Sequence, residues 1–195
     1  MPVTSKLILT DIDETVLQFC TPFSEFARET GMTTFGDLNV LYHLEGFLGT
    51  DRPGADSALE AFEVDHGRRQ PAELYARSAI KRLSLMGYSF VGISACGLDP
   101  EFRAARLVNL HNELGIHFDA MFTVERQGSK KEVLSRFRPA IWVEDHPGHA
   151  IDGAELGHRV FLIDKPFNQG HTHPGVTRVR GWDEIFGILS TEEQA

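Results

Sequence analysis

Short unbroken apolar runs and helical repeats alternate along the second half of the chain. An isolated run at residues 7–9 near the N-terminus is apolar throughout, which is typical of a strand buried on both faces of a parallel sheet. Similar runs follow later, and they predict further strands at residues 88–93, 118–124, 140–143 and 160–163.

Segments with apolar residues three or four positions apart separate these strands. Asp99 and Pro100 form a helix-start signal, and the helix is expected to run to about Leu114. Further helices are predicted at residues 130–137, 147–156 and 182–189. Because strands alternate with helices, we predict an α/β fold with a doubly wound parallel sheet.

A long stretch, residues 16–87, separates the first strand from the second, and it exceeds any normal connection within a sheet. It contains helical patterns at residues 23–27, 38–42, 55–62 and 71–86. We interpret residues 16–87 as a small helical insertion that stands over the strand ends, and its last helix returns the chain to the core. The predicted α/β core comprises residues 1–15 and 88–195.

Composition narrows the classes of function. The 195 residues are 42% hydrophobic and 24% charged, as in an ordinary globular domain. A net charge of −9 offers no basic surface for a nucleic-acid polymer. Cys20 and Cys96 make no disulfide framework, and no apolar run approaches a membrane span. We therefore expect a cytoplasmic protein with no membrane partner, and a homodimer is left open.

Two carboxylates follow the first strand directly. Asp11 and Asp13 are two positions apart, and such residues point to the same side of an extended chain. They leave the strand where open α/β sheets bind their ligands. Carboxylates this close repel each other, so one retains a proton or both share a cation. An isolated pair of this kind is often only a solvated turn, so the assignment depends on the other strand ends.

The other strand ends add the groups that the first lacks. Ser94 follows the second strand, Glu144 and Asp145 follow the fourth, and the helix after the third begins with Lys130 or Lys131. All are expected at one rim of the sheet. Phosphoryl transfer to a carboxylate requires such a set of groups. A cation is needed because the nucleophilic carboxylate and the phosphate dianion repel each other. Oxygen ligands suit Mg²⁺.

Each group has a role in that chemistry. Asp11 would be nucleophile and metal ligand. Asp13 would protonate the leaving alkoxide and then activate water, and its backbone carbonyl can face the metal. Ser94 and the backbone N–H of Ala95 would hold phosphoryl oxygens, the lysine would offset negative charge, and Asp145 would complete the metal site.

These motifs resemble those of the haloacid-dehalogenase (HAD) superfamily phosphatases. The family's first motif, DxDx(T/V), stands at residues 11–15, the second is Ser94, the third is Lys130 and the fourth is Glu144-Asp145, in family order and spacing. The resemblance implies that Asp145 binds the metal directly and that Glu144 acts through water. It also implies that residues 16–87 are a C1-type cap, the part that usually dictates the substrate.

Two further stretches resemble the 5′(3′)-deoxyribonucleotidase branch. The first motif continues to Phe19, where that branch has an aromatic residue facing the base, and residues 161–168 (FLIDKPFN) are similar to a late segment of the branch. The chain differs in having His146 after the fourth motif, where the branch has Arg or Lys. The resemblance implies a Mg²⁺-dependent phosphomonoesterase that forms an aspartyl-phosphate and acts on a 5′-(deoxy)nucleotide.

Three alternatives stay open. The same chemistry could act on a small sugar or acid phosphate, and a polar cap would favour that substrate. A non-enzymatic phospho-switch or binding module could use similar residues, although the third strand ends without the aspartate that receiver domains place there. Lys131 could replace Lys130, but Lys130 stands four residues before Leu134, as the family lysine usually does before its first buried leucine.

Overall fold

A computed structural model describes residues 6–193, apart from the side chain of Asp65. The outermost residues of the predicted core, 1–5 and 194–195, lie outside that range. Within it, one parallel sheet has six strands: β1 (Leu7–Thr10), β2 (Ser89–Ser94), β3 (Ala120–Thr123), β4 (Ile141–Glu144), β5 (Arg159–Ile163) and β6 (Val176–Val179).

The strand order is β3-β2-β1-β4-β5-β6, with every neighbouring pair parallel. The predicted doubly wound α/β sheet is therefore confirmed. The order reverses beside β1, which lies between β2 and β4, and such switch points are where open sheets bind ligands. Strand β6 was not predicted, because its four residues include Arg178 and form an edge with little buried surface.

Helices surround this sheet and fill the long insertion. The described residues form α1 (Cys20–Glu29), α2 (Leu38–Leu41), α3 (Leu44–Leu48), α4 (Arg52–Asp65), α5 (Ala76–Leu85), α6 (Pro100–Leu114), α7 (Lys131–Leu134), α8 (Pro147–Glu155) and α9 (Trp182–Glu192), with a 3₁₀ helix at Pro166–Asn168. Helix α6 begins as predicted, since the Asp99 carboxylate accepts the N–H of Glu101 at 2.9 Å.

Two predicted helices are shorter than expected. The helix predicted at residues 71–86 begins only at Ala76, because Ala72 forms a β-bridge with Leu17 and Tyr75 has a left-handed backbone with φ of 63°. A helix cannot pass through either conformation. The helix predicted at residues 130–137 is reduced to Lys131–Leu134.

Alternate residues of β1 supply the two faces of the sheet. Ile8 belongs to a core with residues of α5, α6 and α9, and Leu9 belongs to a second core with residues of α7 and α8. Both side chains are fully buried. The period-two geometry of a strand thus explains why the run at residues 7–9 is apolar without interruption.

Helices of the predicted insertion belong to two packing groups. Phe23, Phe47 and Phe62 lie in an aromatic cluster that joins α1, α2, α3 and α4. Helix α5 instead buries Ile80 and Leu83 in the sheet core. The helical layer that is separate from the sheet is therefore formed by α1 to α4. Across residues 6–193, none of the helices combines the length and the apolar character that a membrane crossing demands.

Candidate active site

The polar ends of β1, β2 and β4 meet at the carboxyl edge of the sheet. The backbone N–H of Asp11 donates to the carbonyl of Val143 at 2.9 Å, which extends the pairing of β1 and β4 by one residue. Ser94 and Glu144 are the last residues of β2 and β4. This register delivers the predicted side chains to one place.

Lys130 lies at the centre of the buried charges. Its ammonium contacts Oδ1 of Asp11 and donates to Oε2 of Glu144 at 2.9 Å, and the residue is only 3% exposed. Burial alone would lower the pKa of Lys130, but the two carboxylates outweigh it and raise that pKa. Lys131 is exposed and pairs with Asp152 at 3.1 Å on the outside. Lys130 is thus the lysine that reaches the predicted nucleophile.

Three buried carboxylates share this single lysine. One ligand oxygen from each of Asp11, Glu144 and Asp145 lies within 4.8 Å of the others. Burial raises the pKa of Asp11 to about 7, and burial with the nearby charge of Asp11 raises that of Asp145 well above its usual range. For Glu144, Lys130 outweighs the effect of burial and lowers the pKa. Because one ammonium cannot balance three carboxylates, the cluster must hold a proton or a cation.

The hydrogen bonds of Asp145 leave one of its oxygens for a ligand. The hydroxyl of Thr15 donates to Oδ1 at 3.1 Å, and the side-chain amide of Asn168 donates to the backbone carbonyl of Asp145 at 2.7 Å. Oδ2 of Asp145 is buried and has no hydrogen-bond partner. A buried oxygen without a partner is costly unless a ligand completes it. An all-oxygen, anionic set of this kind fits Mg²⁺.

Glu144 is held by the backbone around it. Its Oε1 accepts the N–H groups of Asp145 at 3.1 Å and of His146 at 3.0 Å, while Oε2 accepts from Lys130. Both of its oxygens therefore have partners in the protein. This fits a residue that orients Lys130 and reaches a metal through water rather than directly.

Asp13 lies beside this cluster, and other groups hold it. Its Oδ1 accepts from the guanidinium of Arg106 at 2.5 Å and from the amide of Gln70 at 3.2 Å, and its Oδ2 accepts from the hydroxyl of Ser94 at 3.2 Å. The side chain is 23% exposed. Its carboxylate is not a member of the three-carboxylate cluster, so a metal role for Asp13 would depend on its backbone carbonyl.

Sequence reasoning missed Arg106 and Gln70. Arg106 occupies a buried position on α6, four residues after Phe102 and four before Leu110, so its spacing with buried apolar residues was an available signal. Gln70 lies in the connection after α4, and no pattern in the sequence distinguishes it. Both side chains reach Asp13 only through packing between segments that are distant along the chain.

A cavity of about 540 Å³ opens above these residues. The predicted substrate-binding residues Ser94, Ala95 and Phe19 all line it. Phe19 lies edge-on to Phe62 with ring centroids 5.8 Å apart. The helical layer supplies mixed lining, and its residues there include Leu38, Tyr42, Arg52, Leu59, Phe62 and Glu63.

Tyr42 joins the helical layer to the core at one side of the cavity. Its ring stacks on Phe167 with centroids 3.9 Å apart and planes 9° from parallel. Burial and the carboxylates of Asp145 and Asp11 raise the pKa of Tyr42. Its φ of 47° is unusual for a residue other than glycine, and such conformations often occur at functional sites.

Comparison with solved structures identifies the architecture. A predicted phosphatase from Clostridium acetobutylicum superposes with a TM-score of 0.69 at 13% identity, covering 95% of this chain and 98% of the other. The proposed HAD-hydrolase YfnB from Bacillus subtilis, bound to magnesium, gives 0.64 at 15% identity, covering 94% and 97%. L-2-haloacid dehalogenase from Xanthobacter autotrophicus gives 0.61 at 13% identity, covering 95% and 98%.

Sequence comparison adds nothing to this result. Neither a protein-family model nor a curated protein sequence matches the chain. At 13–15% identity, the three solved structures establish similarity of fold and leave the reaction open. The chain therefore has the Rossmann-like α/β fold of the HAD-superfamily hydrolases, a fold that dehalogenases and phosphatases share.

Proposed function

We propose that the chain is a Mg²⁺-dependent phosphomonoesterase that forms a covalent aspartyl-phosphate on Asp11. The observation that carries the proposal is the arrangement around β1, where Asp11 contacts a buried lysine and adjoins an unpartnered oxygen of Asp145, while Asp13 faces the cavity. A predicted phosphatase and a magnesium-bound hydrolase among the similar structures support it.

Asp11 and Asp13 divide the first step between them. A carboxylate oxygen of Asp11 bonds to phosphorus while the bond from phosphorus to the leaving alcohol oxygen breaks. Protonated Asp13 gives its proton to that oxygen as the alcohol leaves. Lys130 offsets the charge of Asp11, and the Ser94 hydroxyl and Ala95 N–H donate to phosphoryl oxygens.

Asp13 then reverses its role. Now ionised, it takes a proton from water, and the water oxygen bonds to phosphorus as the bond between phosphorus and Asp11 breaks. Inorganic phosphate leaves and Asp13 is again protonated. Asp11, Asp145 and, through water, Glu144 would hold Mg²⁺, which neutralises charge between nucleophile and phosphate when bound.

Dehalogenation is less well supported by these side chains. Displacing a halide from carbon with a carboxylate needs neither a proton donor nor a divalent cation. The chain nevertheless buries the carboxylates of Glu144 and Asp145 beside Asp11 and supplies Asp13 next to them. Phosphoryl transfer uses all four groups.

Two substrate classes have support from the cavity. A 5′-(deoxy)nucleotide is favoured by Phe19, an aromatic residue on the cavity wall that could stack on a base. A small sugar or acid phosphate is favoured by the charged lining, to which Arg52, Arg106 and Arg126 contribute. These arginines are what a polar or anionic leaving group would require.

A substrate panel tests the proposal. We expect phosphate release with Mg²⁺, none with EDTA, and a loss on the order of 10³-fold or more in Asp11→Asn, because the nucleophile is removed. Asp119→Asn, at an exposed aspartate preceding β3, is the matched control and should keep full activity. Phosphorylation of the wild type without turnover would instead indicate a phospho-switch.

The panel also separates the substrate classes. It should contain 5′- and 3′-(deoxy)nucleotides, sugar phosphates and phosphorylated hydroxy acids. If a base stacks on Phe19, Phe19→Leu should raise the KM for nucleotides about tenfold, since base stacking on an aromatic ring is worth about 1–3 kcal/mol. An equal effect on sugar phosphates would count against the nucleotidase assignment.

A further inference from the structure

Unpartnered buried polar atoms converge on the cavity. Among residues 6–193, the buried side-chain nitrogens and oxygens without a hydrogen-bond partner are Oδ2 of Asp145, Nε of Arg106 and Nε of Arg126. All three residues line the cavity. The Asp145 oxygen belongs to the candidate metal site, which leaves two guanidinium donors with no assigned acceptor.

Arg106 is almost completely buried, with 1% of its side chain exposed. One terminal nitrogen donates to Asp13 at 2.5 Å, and the other makes a long contact of 3.4 Å with the carbonyl of Gly67. Its Nε–H has no acceptor. Removing a charged donor from water without replacing its hydrogen bonds is unfavourable, so an acceptor from a ligand would stabilise this arrangement.

Arg126 follows β3 and pairs with two glutamates of α4. It donates to Glu63 at 2.6 Å and more weakly to Glu60 at 3.5 Å. Burial raises the pKa of Glu63 to about 7, against the combined charges of Arg126 and Arg106, so near neutral pH much of Glu63 is uncharged. Arg126 then lacks a full counter-charge and can accept another anion.

The position of Asp13 indicates which part of a substrate would meet these donors. In the proposed mechanism Asp13 protonates the leaving oxygen, so the leaving group lies on its side of the phosphorus. Arg106 touches Asp13 directly, and Arg126 and its partner Glu63 line the same cavity. Arg106 therefore lies on the leaving-group side of the cavity, and Arg126 lines the same cavity.

We propose that Arg106 and Arg126 form a subsite for a second anionic group, a carboxylate or a phosphate, on the leaving part of the substrate. The subsite rests on the phosphomonoesterase function proposed above. It makes the substrate class a phosphomonoester whose alcohol carries an acid group. A nucleoside 5′-monophosphate has a neutral leaving group and would leave the Nε–H groups of both arginines without an anionic acceptor.

Matched substrate pairs test the subsite. The wild type is assayed with a phosphorylated 2-hydroxy acid and its methyl ester, and with a diol bisphosphate and its monophosphate. We expect the charged member of at least one pair to have a kcat/KM higher by about 10- to 100-fold, since hydrogen bonds to charged groups are worth about 1.5–3 kcal/mol. The two pairs distinguish a carboxylate from a phosphate.

Three variants locate the effect. Arg126→Gln should reduce the preference for the charged substrate about tenfold or more, mainly through KM, because it removes one charged donor. Arg126 lies in a loop with 23% of its side chain exposed, so this variant is the one expected to fold. Arg106→Lys tests the buried partner, and Arg103→Gln, exposed on α6, is the control that should keep the wild-type preference.

Glu63→Gln should change the KM for the charged substrate in the direction opposite to Arg126→Gln. It removes the internal anion that competes for Arg126, and it should lower the KM for the charged substrate severalfold, most clearly above pH 7, where Glu63 of the wild type is ionised. Equal kcat/KM for both members of both pairs would overturn the subsite and leave the phosphatase function intact. Absence of turnover for every phosphomonoester, including p-nitrophenyl phosphate, would overturn the function and the subsite together.

Discussion

The two ends of the cavity balance their charges differently. At one end a single lysine, Lys130, lies among the buried carboxylates of Asp11, Glu144 and Asp145, so negative charge is in excess. At the other end Arg106 pairs with Asp13 and Arg126 with Glu63, so each guanidinium has one carboxyl partner. The first end attracts a cation, whereas the second can accept an anion, because the Nε–H groups of both arginines have no acceptor.

The two ends also differ in the structural elements that hold their charged groups. The Glu144 carboxylate accepts the backbone N–H groups of Asp145 and His146, and the backbone carbonyl of Asp145 accepts the side-chain amide of Asn168. Glu63 is carried by α4 in the separate helical layer. Under the proposed function, the reacting groups belong to the sheet edge, whereas the arginine end depends on contacts between α4, α6 and the loop after β3.

The largest effect is expected when Lys130 is removed from among the buried carboxylates. Lys130→Met should lower turnover on the order of 10³-fold or more. At neutral pH it should also cost about 3–5 kcal/mol of unfolding free energy, because it leaves buried carboxylates without their cation. Lys131→Met removes only exposed pairs, so its turnover and its unfolding free energy should stay close to those of the wild type. Kinetics and urea unfolding measure both variants, and equal effects would contradict the assignment of Lys130.

Metal binding tests the charge excess at the same end. Mg²⁺ at about 100 times its dissociation constant should stabilise the wild type by about 2.7 kcal/mol, or roughly 5–10 °C in Tm for a chain of this size. Asp145→Asn should abolish most of that shift, since it alters the oxygen that lacks a partner in the protein.

Asp13→Asn serves as the comparison for Asp145→Asn. It should lower turnover but retain the thermal shift, because its carboxylate pairs with Arg106 outside the carboxylate cluster. Thermal unfolding with Mg²⁺ and with EDTA provides the readout. A shift that survives Asp145→Asn and disappears in Asp13→Asn would reverse the two assignments.

The smallest expected effect concerns the end of the cavity that contains Arg106 and Arg126, and it depends on pH. The pKa of Glu63 is raised from its ordinary 4.5 to about 7, chiefly by burial, so the folded state disfavours its ionised form. The wild type should therefore lose stability relative to Glu63→Gln as pH rises from about 4.5 to 7, and the difference should be constant above that. Its size should be on the order of 2 kcal/mol, less than the full pKa change would give, because solvent screens a side chain that is only partly buried.

Urea unfolding of both proteins at pH 5, 6, 7 and 8 measures this difference. Glu25→Gln, at an exposed glutamate of α1, is the matched control and should show no such trend. A wild type that gains stability over Glu63→Gln with rising pH would mean that the Arg126 ion pair outweighs burial.

Much of the sheet and of its carboxyl edge followed from local patterns. A short apolar run followed by Asp11 and Asp13 predicts both a buried strand and where its polar residues emerge. Ser94 is the last residue of another parallel strand, and Lys130 and Asp145 follow two more, so all three must reach the same edge whatever the details of packing. The carboxylate end could be predicted because parallel topology alone brings those residues together.

Long-range contacts decided the rest. The helix predicted at residues 71–86 begins late because Ala72 bridges to Leu17, a contact that no local period encodes. Arg106 meets Asp13 across 93 positions, and Arg126 meets Glu63 across 63. Whether a buried arginine finds a carboxylate depends on how α4 and α6 pack over the sheet edge. Only the tertiary structure determines those partners, because the energy of an ion pair depends on distance and burial rather than on sequence spacing.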